Sequence, residues 1–342
     1  MNGAIGPMKE RKNAAGPKAL RVGFILTRSF TLSAFALFVD TLRLASDNAD
    51  QSRRLNCDWD VLSSTKNFIT SSSGIQVAPT APFVDPSSFD YIAVVGGLLQ
   101  VEEPIDSHAT TYLRKAAEAG VGLIGLCTGS FVLAETGLLG GHTVCVSWLH
   151  HREFRERFPK LKATSEQIFV FDGKVATCAG GSSVADLAAC LVRHHIGEAA
   201  ERNALEILQI GRRREATDVQ PRNPLGVDVY DRRVNLALMI MEQHIEDPVD
   251  ILDIANMAGV SRRQLERLFH GELGRSPAAA YSEIRMRAAV RSVVQTERPI
   301  IEIAVDAGFE SVSHFTRRFR LMFGETPSDM RRRHRAAARA AR

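Results

Sequence analysis

Short apolar runs alternate with helical patterns between Leu20 and about Leu208. Runs such as RVGFIL (21–26) and DYIAVVGG (90–97) are short and continuous, which is typical of strands buried on both faces of a sheet. Segments such as LSAFALFVDTLRLAS (32–46) place apolar residues at helical spacing instead. This alternation predicts an α/β domain over residues 20–208, a flavodoxin-like sandwich with a parallel sheet between helices.

The pattern changes after residue 208. Residues 211–227 (GRRREATDVQPRNPLGV) combine charge, prolines and glycines without periodicity, so we predict a linker over residues 209–227. From residue 228 only helical periods remain, which predicts an all-α domain over residues 228–333. The length of 342 residues fits two domains, since single cores stop growing at roughly 250 to 300 residues.

Two segments of the all-α domain share a helix, a tight turn and a second helix. Residues 247–274 contain a turn at Gly259 followed by Ser261, and about fifty residues later the same pattern leads to Ser311. A serine at this position accepts a hydrogen bond from the backbone and so marks the start of the second helix. The repeated pattern predicts two helix-turn-helix units, and therefore binding to double-stranded DNA.

The second helix of each unit is expected to enter the major groove. The predicted apolar stripe is Leu265, Leu268 and Phe269 in the first unit and Phe315 and Phe319 in the second. The remaining residues of these helices face outward. An outward arginine can form a paired hydrogen bond with guanine. The candidate base-contacting residues are Arg263, Glu266, Arg267, Val312, Ser313, His314, Thr316 and Arg317.

The formal charge of +4 lies entirely in the C-terminal third. From residue 222 onward there are 20 arginines, no lysine and 16 acidic residues, whereas the earlier part is balanced. A local basic excess attracts the phosphate backbone of nucleic acids. The basic tail over residues 334–342 has two interpretations, a solvated charge run or nonspecific contact with phosphates.

Residues 227–333 resemble the DNA-binding domain of the AraC/XylS family. The resemblance includes the closing segment IAVDAGFESVSHFTRRFRLMFGETPSDMRR (303–332). It implies two helix-turn-helix units joined by a long helix, here YSEIRMRAAVRSVVQ (281–295), with recognition helices that meet successive major-groove faces about 34 Å apart.

The N-terminal domain has one segment with marked chemical potential, GLCTGS (125–130), between a predicted strand and a predicted helix. Cys127 is expected to occupy a strained strand-to-helix turn, with its sulfur exposed beside backbone N–H groups. The pair Gly96 and Gly97 ends the previous strand and allows its backbone to approach the same place. Such a site suits an oxyanion or a carboxylate.

These features resemble the class I glutamine amidotransferase-like superfamily, in its PfpI-like branch. The resemblance rests on the VVGG strand end, the cysteine elbow and the later segment CAGGSSVADLA (178–188). Together with the AraC-type C-terminus, the chain resembles the GlxA family of regulators. This implies regulation of transcription, several members responding to amino acids or quaternary ammonium compounds.

Enzymes of that superfamily place a histidine at the end of the strand after the elbow, and Ser147 stands in its place here. The acidic residue that some relatives carry on the first helix aligns with Ala34. Serine cannot act as a base for a thiol at neutral pH. His150 and His151 are close in sequence, and we interpret them as packing or surface residues. We therefore expect no enzyme activity, the alternatives being a cysteine hydrolase or amidase, or a redox sensor, acting through Cys127.

A pocket without turnover suits a sensor, because a ligand shifts a conformational equilibrium only through differential affinity. Trp148 could hold a quaternary ammonium through cation–π attraction, or could simply pack in the core. The candidate ligand contacts are Phe30, Thr31, Leu32, Gly96, Gly97, Cys127, Thr128 and Trp148.

Other features bear on partners and location. Residues 1–19 lack the apolar stretch of a secretory signal, and we predict a disordered lead-in. Five cysteines without a C-x-x-C pair suggest a reducing cytoplasm and no metal site, and we expect no cofactor and no membrane span. The expected partners are promoter DNA, a small effector, RNA polymerase and a second copy of the chain, with activation of transcription as the outcome.

Overall fold

A computed structural model describes residues 19–47, 49, 51–211, 213–220, 224–225, 227 and 229–340. Of the predicted lead-in, only Ala19 falls within these residues. The chain divides into two compact units, residues 1–220 and 221–342, and each is described by itself.

The N-terminal unit is built on strands and helices that alternate along the chain, as the sequence predicts. The strands are β1 (Leu20–Leu26), β2 (Cys57–Val61), β3 (Ile69–Thr70), β4 (Gln76–Val77), β5 (Tyr91–Val95), β6 (Gly122–Leu126), β7 (Thr143–Cys145), β8 (Lys162–Thr164), β9 (Phe169–Asp172) and β10 (Val175–Cys178). The helices are α1 (Leu32–Ser46), α2 (Ser107–Glu118), α3 (Gly129–Glu135), α4 (His151–Arg157), α5 (Ser183–His195) and α6 (Glu198–Ile207), with a 3₁₀ turn at Pro86–Ser88.

Six strands form the main sheet in the order β2-β1-β5-β6-β10-β9. The first five are parallel, and β9 runs antiparallel to β10 at the edge. Alternate residues of β5 enter two separate cores: Ala93 and Val95 pack on the side of α1, α5 and α6, while Ile92 and Val94 pack on the side of α2, α3 and α4. The predicted α/β sandwich is confirmed.

The run HTVCVSW (142–148) has the apolar composition of a strand of the main sheet, but it lies outside that sheet. Its strand β7 pairs in parallel with β8 in a separate two-stranded sheet. The Cys145 N–H donates to the Thr177 hydroxyl of β10 at 2.7 Å, so a side chain takes the place of a backbone ladder. This bond brings the end of β7 to the same sheet edge as the end of β10.

The predicted linker over residues 209–227 differs from the structure in its first half. Residues 213–220 belong to the N-terminal unit, and Gln220 is 3% exposed. Side-chain hydrogen bonds to distant residues hold this polar segment in place, and such bonds leave no apolar periodicity in the sequence. We call residues 213–220 the strap.

The C-terminal unit is helical throughout its described part, as predicted. Its helices are α7 (Arg232–Gln243), α8 (Ile251–Met257), α9 (Arg262–Leu273), α10 (Pro277–Gln295), α11 (Ile300–Asp306), α12 (Val312–Phe323) and α13 (Pro327–Ala340). The pairs α8–α9 and α11–α12 are the two helix-turn-helix units. Ser261 and Ser311 accept hydrogen bonds from Gln264 N (3.2 Å) and His314 N (3.4 Å), which confirms both as caps.

Each helix-turn-helix unit has its own core. Leu265 and Phe269 are fully buried against α7, α8 and the first half of α10, and Phe315 and Phe319 are fully buried against its second half and α11. The predicted tail is partly helical, since α13 extends to Ala340, and its His334 and Arg335 are exposed.

Candidate ligand pocket and nucleic-acid interface

Cys127 stands between β6 and α3 with a φ angle of 55°. A non-glycine residue in this left-handed region is strained, and such strain persists only where the surrounding structure fixes it. The side chain is half-buried. The turn therefore has the geometry of a nucleophile elbow, as the sequence predicts.

Backbone segments approach one another closely around this turn. A Cβ atom added to Gly96 would lie 2.1 Å from the Gly129 nitrogen, and one added to Gly97 would lie 1.7 Å from the Ser29 carbonyl oxygen. No side chain fits at either position. The two glycines thus allow the ends of β1, β5 and β6 to meet beside Cys127.

Hydrogen bonds join the same three strand ends. Thr31 N donates to Gly96 O at 2.9 Å, and Thr128 Oγ1 donates to Gly97 O at 2.7 Å. Thr31 Oγ1 lies 3.7 Å from Cys127 Sγ. The structure brings seven of the eight candidate ligand contacts together, namely Phe30, Thr31, Leu32, Gly96, Gly97, Cys127 and Thr128.

Phe30 differs from Thr31 and Leu32 in exposure, since Phe30 is buried and the other two are half-buried. Phe30 is 0% exposed, with its ring edge-on to Phe35 at 6.0 Å, so it could touch a ligand only after moving. Leu32 begins α1 and is half-buried against the core on that side of the sheet. Both residues pack in the core on this side of the sheet, and their contact with a ligand stays a prediction.

The segment after β7 carries Ser147 and Trp148, both half-buried. Trp148 N donates to Gln220 Oε1 at 2.9 Å, and Val146 N donates to Thr164 O at 2.9 Å. The segment is therefore held through its backbone by the strap and by β8. This arrangement leaves the role of the Trp148 indole a prediction.

Ala34, His150 and His151, the residues considered as activators of the Cys127 thiol, have packing contacts. Ala34 is fully buried in α1, at the position where some relatives carry an acid. The His151 ring is 7% exposed, with Nε2 3.4 Å from Ala163 O. The His150 ring lies edge-on to Phe131 at 6.3 Å, and burial lowers its pKa. The contacts of both histidines agree with the packing interpretation.

The remaining cysteines are poor nucleophiles. Burial raises the pKa of Cys57 to about 12 and the pKa values of Cys178 and Cys190 to about 11. The Cys145 thiol is fully buried and donates to Gln167 O at 3.2 Å. Thiolate chemistry is disfavoured at these four positions, since the thiolate is the reactive form.

Four residues of the strap and of the segments beside it were not identified from the sequence. Asp186, Arg214 and Gln220 form buried contacts of the strap, and Glu166 lies in the loop after β8, beside the Gln167 carbonyl that Gln220 contacts. Burial raises the pKa of the Glu166 carboxyl. None of the four belongs to a recognisable motif, so only a spatial contact could have identified them.

The predicted DNA-contacting residues of α9 lie on its solvent face. Arg263 and Arg267 are exposed. Glu266 is half-buried, and its carboxylate pairs with Arg262 Nε at 3.2 Å. The two arginines are therefore placed to reach a nucleic acid, while Glu266 already has a partner.

The outer face of α12 borders an open groove of about 720 Å³. Four predicted contacts line it, Val312, Ser313, Thr316 and Arg317, and Arg320 joins them one turn later. His314 is exposed beside them, with its ring edge-on to Phe309 at 5.6 Å. Arg320 was not selected from the sequence, although its spacing of four from Thr316 places it on the same face.

Arg285 of α10 attaches the turn of the second helix-turn-helix unit. Its Nε donates to Ala307 O at 2.8 Å, its other nitrogen contacts Gly308 O, and its guanidinium lies 4.4 Å from the centre of the Phe309 ring. Burial lowers the pKa of this guanidinium. The contacts of Arg285 fix the second helix-turn-helix unit relative to α10.

Within the described residues, no three histidine, cysteine or acidic side chains are grouped so that they could hold a metal ion. In the same part of the chain, no helix has the length and apolar character that a membrane span requires.

Two family models match the chain, the DJ-1/PfpI family over residues 41–194 and a helix-turn-helix domain over residues 254–333. The HTH-type transcriptional regulator GbdR of Pseudomonas aeruginosa is 33% identical over 312 residues, which cover 91% of this chain and 83% of that protein. CdhR of the same species is 33% identical over 90% of each chain. GlxA of Rhizobium meliloti is 31% identical over 92% of this chain and 96% of that protein.

All three relatives are HTH-type transcriptional regulators, and their similarity to this chain spans both of its units. The chain therefore belongs to the GlxA-type regulators of the AraC family, in which a DJ-1/PfpI sensing domain precedes an AraC-type DNA-binding domain.

Proposed function

We propose that the chain is a transcription activator whose N-terminal domain binds a small amino acid or quaternary amine without converting it. The elbow carries this proposal: it keeps its strained geometry at Cys127, while Ser147 and Ala34 stand where enzymes have a base and an acid. A site that binds without turnover preserves the signal it detects.

We propose a cationic effector on the basis of Glu166, whose neighbour Gln167 contacts the same Gln220 amide as Trp148 does. Glu166 is a half-buried carboxylate in the loop beside Gln167, and burial raises its pKa. A bound cation would stabilise the charged form of this carboxylate, and the Trp148 indole could add cation–π attraction of about 0.5 to 2 kcal/mol. Amino acids with basic side chains and quaternary amines both supply such a cation.

A thermal-shift screen of the full chain against amino acids, betaines, carnitine-like compounds and polyamines tests the sensor. A ligand at 100 times its dissociation constant stabilises the folded state by about 2.7 kcal/mol. We expect a hit that Trp148→Ala or Glu166→Gln weakens, while Trp59→Ala, on the edge strand β2, leaves it unchanged. A complete absence of hits would contradict the proposal.

The strained elbow itself favours two alternatives that act through Cys127, a cysteine hydrolase or amidase and a redox sensor. Turnover in an amide and ester panel that disappears in Cys127→Ala would establish the enzyme. A Cys127 thiol pKa measured well below the ordinary value of about 8.5 would favour the redox sensor.

We propose that α9 and α12 read the bases of an operator. Each bidentate arginine contact is worth about 1 to 3 kcal/mol of discrimination, so Arg263→Ala and Arg317→Ala should each relax base preference at a separate position. Arg335→Ala, in the predicted basic tail and exposed on α13, is the control and should weaken all sequences alike. Equal losses on every sequence for all three variants would refute the assignment.

We also propose that the chain acts as a dimer through its N-terminal domain and contacts RNA polymerase. Two linked modules multiply DNA affinity through effective concentration. Light scattering of the full chain at micromolar concentration should give twice the mass of 37.6 kDa. A monomer with and without DNA would remove the dimer from the proposal.

A further inference from the structure

The strap, residues 213–220, is bound to the N-terminal unit by an ion pair whose acidic partner is buried. The Arg214 guanidinium lies 2.5 Å from Asp186 Oδ2, and the Arg214 backbone N–H donates to Asp186 Oδ1 at 3.1 Å. The Asp186 side chain is 0% exposed. Arg213 adds a second contact, with its Nε 3.1 Å from Glu201 Oε1.

The same arginine contacts the turn beside the cysteine elbow. Its Nη2 donates to Ser182 Oγ at 2.9 Å. Ser182 follows Gly180, which has a φ of +91° and where an added Cβ would lie only 3.1 Å from Cys127 Sγ. One end of the strap therefore rests on the turn that closes over Cys127.

The other end of the strap contacts the segment after β7, which carries Ser147 and Trp148. The buried Gln220 amide accepts from Trp148 N at 2.9 Å and donates to Val146 O at 2.9 Å and Gln167 O at 2.8 Å. The three bonds hold the backbone of the segment that carries Ser147 and Trp148 and the backbone of Gln167. Displacement of any of these segments would leave buried polar groups of the strap without partners, which is costly.

The strap is followed directly in the sequence by the C-terminal unit, which begins at residue 221. We propose that the strap is the element that passes the occupancy of the pocket to the DNA-binding unit, with Gln220 and Arg214 as positioning residues that act through Trp148 and the Gly180–Ser182 turn. A ligand that favours one position of Trp148 or of the Gly180–Ser182 turn thereby favours either the bound or the released state of the strap. The inference rests on the proposed function, since it needs an effector in this pocket.

The first test needs no effector. Full-length Gln220→Leu and Arg214→Met are compared with the wild-type chain for affinity to a DNA duplex that the wild type selects from a random pool. Their controls are Gln76→Leu and Arg152→Met, at exposed residues of the same unit. If Gln220→Leu or Arg214→Met fails to fold, Gln220→Glu and Arg214→Lys replace them, because these two variants keep part of the hydrogen bonding of the strap.

We expect both strap variants to change DNA affinity in the same direction by about fivefold or more, and the controls by less than about twofold. Hydrogen exchange should show a faster Trp148 amide in Gln220→Leu, which reports release of the strap. The inference would be overturned if both variants bound DNA with wild-type affinity while the Trp148 amide exchanged faster.

The second test adds glycine betaine or L-arginine as probes. If a probe changes the DNA affinity of the wild type, the strap variants should lose that response while the probe still raises their melting temperature. Retention of the full response would overturn the strap and leave the proposed function intact. If neither probe affects the wild type, these two effectors are excluded, and the strap is decided by the first test.

Discussion

Replacement of Arg214 by alanine should destabilise the N-terminal unit strongly, because it leaves a buried charge without its partner. Removal of one member of a buried ion pair costs about 3 to 5 kcal/mol. The Arg214 side chain is 24% exposed and the backbone N–H of residue 214 still bonds Asp186, so we expect the lower end, about 3 kcal/mol.

Urea unfolding of the full chain measures this effect selectively. The two tryptophans, Trp59 and Trp148, both lie in the N-terminal unit, so their fluorescence reports that unit alone. With a denaturant slope of about 2 kcal/mol/M, the expected loss lowers the midpoint by about 1.5 M. The control Arg152→Ala breaks an exposed pair with Glu156 and should cost about 0 to 1 kcal/mol.

A midpoint shift of Arg214→Ala no larger than that of the control would refute the reasoning. The double variant Asp186→Leu with Arg214→Met gives a further check, because apolar replacement of a whole buried pair is often neutral or stabilising. It should recover most of the lost stability. A double variant as unstable as Arg214→Ala would show that packing of the guanidinium, and not the unpaired charge, dominates.

Three further predictions concern other parts of the chain. Burial raises the folded-state pKa of Glu166, so ionisation of this carboxyl lowers the free energy of unfolding above that pKa, and this loss disappears as the pH falls through it. Glu166→Gln should therefore stabilise the chain at neutral pH. Equal unfolding midpoints of the variant and the wild type at both neutral and acidic pH would argue against this. Ser311→Ala removes the cap of α12 and should cost about 1 kcal/mol, seen as a lower melting temperature, while Ser313→Ala, exposed on the same helix, should have little effect on stability. Arg285→Met should cost about 2 kcal/mol through lost charged hydrogen bonds to Ala307 and Gly308 and should weaken DNA binding; a variant with wild-type melting and affinity would contradict the anchoring role.

Local signals account for the parts of the structure that the sequence predicted. The continuous apolar runs of β1, β5 and β6 marked strands buried on both faces, and Ser261 and Ser311 marked helix starts, because each signal depends on neighbouring residues alone. The cysteine elbow was recognisable for the same reason, since its strand, turn and helix are consecutive.

Long-range polar contacts account for what the sequence did not predict. Arg214 pairs with a residue 28 positions away, and Gln220 bonds residues up to 74 positions away, so the strap looked like a linker. In the same way, β7 has the composition of a central strand, but its Cys145 N–H bonds the side chain of Thr177 instead of a neighbouring strand. Such partners are defined only by the folded chain.

The length of α10 also sets a constraint on operator sequences. This helix has 19 residues without a break, and at 1.5 Å per residue it spans roughly 28 Å between the two helix-turn-helix units. Insertion or deletion of one residue would rotate one unit by about 100° relative to the other, whereas a substitution leaves the phase intact. We therefore predict that an operator of this protein tolerates changes of single bases better than a change in the spacing between the segments that α9 and α12 contact.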